Sequence, residues 1–340
     1  MARHWLVFRL PAGAVVGLSA AFIDAHIQRW VGNLDSRFFP HRRLWPDLLF
    51  HHAPLENAVR IINSGQLLSR NASNGLRGRD VAAGGVIDNR DRAHNFVRLY
   101  FRPRTPTQFN IEGIRRPADC RYENGHAPVL VMFVLDARSI LSMPNVRFSN
   151  INMQLNAARD GDDEAFFNEL DFAKIYHEGA YTDASIKDHR CAEVLCPSPL
   201  PLAQHLRGII CRSEAERETL AYQAGVAIAP YRDRVFASDD LKVFDKNFPF
   251  ANRVSASNEG VSFTLNPRYD GQNIQVQVRI TRPDGQVVFE ITYPDMPALT
   301  NTGGSWITRT PLADGSYIVS LTIDGHLAYQ AAHYVGEVLF

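Results

Sequence analysis

Arg190-Cys191-Ala192-Glu193-Val194-Leu195 sets a single acid among apolar residues. The stretch reads as a buried strand, where an ionised carboxylate is costly unless it is paired or used in chemistry. Side chains alternate between the faces of a strand, so the same six residues also fit an edge strand with Glu193 turned to water. We read Glu193 as a catalytic acid whose companions lie upstream, near His51, Arg90 and Tyr100.

The surrounding chain supplies elements for such a site. Leu48 to His51 is a short apolar strand ending in histidines. Pro54 then opens a helix that buries Ala58, Ile61 and Ile62 and stops at Asn63-Ser64-Gly65. Gln66 to Leu68 returns as a strand, and Asn71 to Gly85 reads as a loop over a site. Phe96 to Arg102 alternates as a strand that Pro103-Arg104-Thr105-Pro106 ends, because proline cannot continue a ladder. Val129 to Leu135 is apolar throughout, as a strand buried on both faces must be. Val146 to Asn150 is a shorter strand that leads to a loop at Asn152. Glu164 to Ile175 reads as an acidic helix, Tyr176 to Asp188 as irregular, and Ile209 to Cys211 as a strand. Ser213 and Glu216 form a capping box for a helix through Gly225, and Val226 to Pro230 closes the unit as a last strand.

Both ends differ from this middle. Residues 12 to 33 have helical periodicity and are expected to pack on their own domain. From about Val254 the texture is all β. Val261, Phe263 and Leu265 alternate, as do Ile274, Val276 and Val278, with turns expected at Pro283-Asp284-Gly285, Ala313-Asp314-Gly315 and Asp324-Gly325. This pattern suggests an immunoglobulin-like sandwich serving as a binding or spacer module. The expected organisation is an N-terminal helical extension (1–44), a main domain (45–237), a linker (238–253) and the β-sandwich (254–340).

With 340 residues and a formal net charge of zero, the chain suits two cores and carries no global basic field. The balance is uneven. From Arg42 to Arg116 every basic residue other than histidine is arginine, which suits planar contacts to phosphate or carboxylate, whereas Asp160 to Asp171 is an acidic run. The four cysteines lack the spacing of a zinc site and are expected to be reduced thiols in a cytoplasmic protein. Leu6 to Phe22 follows Arg3 as an export signal would, but Arg9 and Pro11 interrupt it, and export is the lesser alternative. No run is long enough to span a bilayer.

Three ordered motifs carry a resemblance. They are Leu49-Phe50-His51 with Glu56-Asn57 and Ile61 to Leu68, then Leu99-Tyr100-Phe101-Arg102-Pro103-Arg104-Thr105-Pro106, then Arg190 to Leu195. In that order they resemble the DarT family of bacterial ADP-ribosyltransferase toxins over residues 45 to about 237. The chain departs from the family where Thr107-Gln108-Phe109 follow the proline turn in place of the frequent Met and Tyr. The short span between Arg90 and Phe96 leaves Arg90 and Arg92 both open for one role.

The resemblance implies an α+β chain, with a PARP-like ADP-ribosyltransferase (ART) domain built on a mixed, NAD-binding sheet, followed by the small all-β sandwich. It implies NAD as substrate and transfer of its ADP-ribose to a base of single-stranded nucleic acid, DNA before RNA. Glu193 and Arg90 would be catalytic. His51, Asn57, Tyr100, Arg92 and Arg104 would hold NAD, with Tyr100 stacked on nicotinamide, and Asn152 and Arg190 would contact the acceptor. A toxin of this kind implies a macrodomain antitoxin, and the sandwich would hold a partner of its own. A protein-directed transferase and a silent nucleotide-binding protein remain the alternatives.

Overall fold

Strand Leu130–Asp136, apolar up to its last residue, lies inside an eight-stranded sheet and is buried along nearly its whole length. The computed structural model describes residues 17–75, 93–121, 125–297 and 305–337. In chain order the strands of the first part are β1 (Leu48–Pro54), β2 (Gln66–Leu67), β3 (Val97–Tyr100), β4 (Leu130–Asp136) and β5 (Arg147–Ser149). They continue with β6 (Asp160–Gly161), β7 (Glu193–Cys196), β8 (Leu200–Pro201), β9 (Leu206–Cys211) and β10 (Val235–Ala237). The large sheet runs β10-β9-β4-β1-β3-β7-β5-β6, and β2 pairs with β8 in a separate ribbon. Only β9 and β10 are parallel in the large sheet, which makes it mixed. The register Phe50↔Tyr100↔Glu193 aligns the three motif strands β1, β3 and β7 across the middle of the sheet. β7 has neighbours on both sides, so the edge-strand reading of Glu193 fails.

Helices cover this sheet where apolar residues recur at helical spacing. Leu55–Ser64 follows β1, buries Leu55, Ala58 and Ile62, and ends at Gly65 in the left-handed region (φ 70°). Ala20–Asn33 starts later than residue 12, at a Ser19 cap whose hydroxyl accepts from the Phe22 N–H. It buries Ile23 and Ile27, and His26 and Trp30 lie against Phe172 and Tyr176. The N-terminal extension therefore packs on its own domain. Residues 1–16, with most of the candidate export stretch, lie outside the described residues.

Several local expectations are corrected by capping and packing. Strand β7 starts at Glu193, because Arg190 still caps the short helix Ser185–His189. The acidic helix is two helices, Glu164–Glu169 and Phe172–Ile175, since the Asp171 carboxylate accepts from the Lys174 N–H and restarts the turn. Pro106–Ile111 forms a helix directly after the proline turn. Residues 225–234 are 3₁₀-helical, and the closing strand is β10. The Glu216 carboxylate turns to the Arg212 N–H (3.2 Å), while the Ser213 hydroxyl accepts from the Glu216 N–H.

The all-β part comprises β11 (Phe250–Ser257), β12 (Gly260–Asn266), β13 (Ile274–Thr281), β14 (Val287–Met296), β15 (Trp306–Ile307), β16 (Gly315–Ile323) and β17 (His326–Val335). Two sheets, β11-β12-β15 and β14-β13-β16-β17, share a core that includes Val261, Phe263, Val276, Val278, Val319 and Leu321. Alternation thus buries the expected face. The turns at Asp284-Gly285 and Asp324-Gly325 join hairpins, but Gly315 opens β16 and its turn joins none. The strand run begins at Phe250, four residues before Val254.

Helix Glu214–Ala224 forms the seam between the two cores. Ala215 belongs to the sandwich core, the Tyr329 hydroxyl donates to Glu218 (2.7 Å), and the Ser213 hydroxyl donates to the Ala251 carbonyl (2.6 Å). At its first turn Arg212 and Glu216, both without side-chain exposure, form an ion pair, and Arg212 also donates to the Pro128 carbonyl and lies over the Phe250 ring. Replacing one partner strands the other in a dry interior. Glu216→Ala is expected to cost about 3–5 kcal/mol of stability, measured by urea denaturation. A loss below about 1 kcal/mol would mean that the pair is not what holds the seam.

Candidate active site

β3 and β7 are adjacent and antiparallel, with Tyr100 opposite Glu193 and Arg98 opposite Leu195. Residues opposite one another share a face, as do residues two apart, so Arg98, Tyr100 and Glu193 converge. The Glu193 side chain has 0% exposure, whereas that of Arg98 keeps 25%, so the guanidinium lies between the carboxylate and the surface. The contact is two-pronged: Arg98 Nε donates to Oε2 (2.7 Å) and Nη2 donates to Oε1. This fork is the geometry that repays the desolvation of a buried carboxylate. On its far side the Glu193 N–H donates to the Ser149 hydroxyl (2.8 Å), which donates to the Ile151 carbonyl (2.9 Å).

An aromatic wall stands beside the pair. The His52 ring stacks on Tyr100, 5.5 Å between centroids and 6° from parallel, and Arg98 and Thr107 both donate to the Tyr100 hydroxyl at 3.4 Å. His51 Nδ1 meets the Arg98 carbonyl at 3.0 Å, which ties β1 to β3 where their ladder has opened. Burial lowers the pKa of both histidines, that of His52 to about 3 with the charges of His51 and Arg98 adding to the effect. Both rings are therefore neutral at pH 7, flat and uncharged. Burial raises the Tyr100 phenol, with Arg98 opposing and Glu193 reinforcing. Burial works against the charge on Arg98, but the Glu193 carboxylate outweighs it and raises the pKa.

The expected site residues fall into two groups and some singles. His51, Tyr100 and Glu193 come together around Arg98. Arg104 and Arg190 meet elsewhere, around Glu178 and His177. Asn57 lies in the first turn of the helix after β1. Asn152 follows β5, its N–H donating to the Asp188 carbonyl (3.1 Å) and its side-chain oxygen accepting from the Gln154 N–H (3.1 Å). Arg90 and Arg92, and the loop expected to Gly85 beyond residue 75, lie outside the described residues. Sequence reasoning passed over Arg98, although strand alternation placed it two residues from Tyr100 on one face. It also passed over His52, chosen against in favour of its neighbour. Three of the four cysteines are buried, none is in a disulfide, and no cluster suited to a metal exists among the described residues.

A family model described as "ssDNA thymidine ADP-ribosyltransferase, DarT" matches residues 50–235, more than half of the chain. The chain belongs to the DarT family. It is accordingly an NAD-dependent ADP-ribosyltransferase with single-stranded DNA as its substrate class. No curated protein matches the chain. Among solved structures it is similar to Thermus sp. 2.9 DarT in complex with ADP-ribosylated ssDNA, at 20% identity and TM-score 0.47, over 58% of this chain and 96% of that one. The same protein in complex with NAD+ gives 18% identity and TM-score 0.43, over 56% and 96%. Thermosipho africanus DarTG in complex with ADP-ribose gives 14% identity and TM-score 0.43, over 63% and 54%. The family assignment rests on the family match alone. The matched range contains the three adjacent strands that carry Phe50, Tyr100 and Glu193.

The neutral histidines give the site a pH signature. Unfolded, His52 takes a proton below its ordinary value near 6.5, whereas folded it resists protonation down to about 3. The unfolded state then binds the extra proton, so stability present above 6.5 is lost as the pH falls toward 3. His52→Phe removes this contribution. Its urea midpoint is expected to drop less between pH 7 and pH 5 than that of the unaltered chain, and equal drops would contradict a His52 that is neutral in the folded state.

Proposed function

We propose that this chain transfers ADP-ribose from NAD+ to a ring nitrogen of thymidine in single-stranded DNA, with Glu193 as the proton acceptor. The observation that carries the reading is the buried Glu193 carboxylate, gripped by Arg98 and facing Tyr100, inside the DarT-family domain. The bond from ribose C1′ to the nicotinamide nitrogen breaks, and its electron pair leaves on nicotinamide, which departs neutral. The thymine nitrogen forms the new bond to C1′, and its proton passes to Glu193. Positive charge that develops on the ribose before attack is stabilised by the same carboxylate. Arg98 takes two of the roughly four acceptor directions of that carboxylate and holds its plane fixed.

Flat groups suit flat substrates. Tyr100 and His52 present a neutral aromatic stack for nicotinamide or the acceptor base. Attack needs the base outside a duplex stack, which favours single-stranded DNA. Arg98 is the arginine paired with Glu193, and a role for Arg90 or Arg92 in engaging the pyrophosphate or positioning the reacting ribose is carried as part of the proposal. Roles for Asn57, Asn152, Arg104 and Arg190 in holding NAD+ or DNA are carried as part of the proposal.

The family supports DNA as acceptor, and RNA is not carried further. A macrodomain antitoxin that removes ADP-ribose is the partner proposed for a toxin of this family. The seven described strands of the C-terminal unit, in two sheets, support an immunoglobulin-like module. No helix among the described residues is long and apolar enough to cross a membrane.

Labelled NAD+ and a thymidine-containing oligonucleotide test the assignment. Glu193→Gln is expected to slow transfer by about 10²–10⁴-fold while the circular dichroism spectrum is retained. Transfer at the unaltered rate would reject Glu193 as proton acceptor. Arg98→Lys keeps charge but loses the fork, and is expected to slow transfer less than Arg98→Met. Equal activity of those two variants and the unaltered chain would remove Arg98 from the mechanism.

A further inference from the structure

Just past the end of β3 four guanidinium groups converge from separate parts of the chain. Arg102 and Arg104 follow Tyr100 by two and four residues, Arg190 precedes Glu193 by three, and Arg42 comes from the 3₁₀ helix Pro40–Asp47 before β1. One carboxylate, Glu178, serves both Arg102 (2.9 Å) and Arg104 (3.0 Å). Their other direct contacts described here are with neutral groups. Arg102 donates to the Pro103 carbonyl (2.8 Å) and to that of His177, and lies over the Trp45 ring. Arg190 donates to the Gly179 carbonyl (2.9 Å), meets His177 Nδ1 (2.7 Å) and lies over Tyr181. Arg42 donates to the Tyr176 carbonyl (3.3 Å) and lies over Phe39, and Arg104 meets His41 Nε2 (3.1 Å).

These contacts leave the cluster incomplete. The Nε–H groups of Arg42, Arg104 and Arg190 are all buried and have no acceptor among the described residues, and Asp245 Oδ2 is likewise unpartnered. A buried donor without an acceptor is costly, so three in one place call for a ligand with several acceptor oxygens. Charge agrees. Four guanidinium groups face two acids, Glu178 and Asp245, which leaves an excess of at least two positive charges. Burial, with Glu112 nearby, raises the Asp245 acid to about 7, which weakens its neutralising effect further. Burial lowers His41 to about 4 and also lowers His177, so neither adds a positive charge at pH 7.

We infer that Arg42, Arg104 and Arg190 form a phosphate-binding site beside the Glu193 centre. Tetrahedral phosphate oxygens suit several convergent N–H donors, and arginine's fork suits phosphate better than a lysine point charge does. Arg104 follows the end of β3 that carries Tyr100 and Arg190 precedes the end of β7 that carries Glu193, which points to a phosphate carried by one of the reacting molecules. Resting on the proposed function, its source is either the pyrophosphate of NAD+ or a phosphodiester of the DNA strand.

The test uses the full chain with Arg42→Gln, Arg104→Gln and Arg190→Gln, and three probes. Inorganic pyrophosphate is expected to raise the melting temperature of the unaltered chain, and each variant is expected to shrink that rise. Affinities for carba-NAD+ and for a thymidine oligonucleotide are then measured by calorimetry over a salt series. A tenfold loss for carba-NAD+ alone assigns the pyrophosphate of NAD+. A tenfold loss for the oligonucleotide, with its log–log salt slope reduced by about 0.7 per lost contact, assigns the phosphodiester. The inference is overturned if pyrophosphate gives no stabilisation of the unaltered chain, or if the variants bind all three probes as it does. Labelled ADP-ribose transfer by the unaltered chain is a separate arm. Its failure, with pyrophosphate stabilisation present and lost in the variants, would sink the proposed function and leave the phosphate site standing.

Discussion

Desolvation of the Glu193 carboxylate is the constraint from which the rest of the catalytic sheet follows. A strand interior with no exposure tolerates such a charge only when a cation of matching shape reaches both oxygens. Arg98 does so from the neighbouring strand, one diagonal step across the pleat, where a long side chain spans the gap. The register that allows this also puts Tyr100 directly opposite Glu193 and Phe50 opposite Tyr100. A one-residue slip of either strand would turn the acid and its partner to opposite faces. The pair and the register therefore fix each other, and the site is as rigid as the sheet.

The second buried ion pair has a different task. Arg212 and Glu216 lie where β9 gives way to the seam helix, and Arg212 reaches the Pro128 carbonyl on one side and the Phe250 ring on the other. Phe250 opens the sandwich. The pair thus joins the end of the catalytic sheet to the beginning of the accessory unit. The segment between the two units is fastened as well. The Gln108 side chain donates to the Val243 carbonyl (2.7 Å), and the Glu112 carboxylate accepts from the backbone N–H groups of Asp245 and Lys246. Gln108 also accepts from the Arg104 N–H (2.9 Å), which holds Arg104 in the left-handed region at φ 52°. Residues beyond the family match therefore brace the turn that presents Arg104.

Arginine usage explains why a chain of zero net charge carries such sites. Arg98 and Arg212 are each spent on a buried acid in a fork, so they contribute no field outside. The cluster around Glu178 differs in holding more guanidinium than carboxylate groups. Local excess on a neutral molecule favours one anion at one place over general adhesion to nucleic acid.

By itself the sequence determined the strands, because hydrophobic alternation and proline punctuation are local. β1, β4 and the alternating strands of the sandwich lie near where their patterns put them, and Glu193 in its apolar run was legible as unusual. Its motifs also carried the family. Only the tertiary structure decided what Glu193 pairs with. Arg98 looked like an ordinary polar position of an alternating strand until β3 and β7 lay side by side, since nothing local tells which of many arginines reaches an acid 95 residues away. The same holds for Arg42, Arg104 and Arg190, which come from three distant parts of the chain. Capping chemistry moved the ends of several elements, as at Asp171 and Arg190, where a side-chain hydrogen bond or a short helix competed with the apolar pattern. Pairing between distant strands is set by burial summed over the whole sheet, and no single stretch of sequence contains that sum.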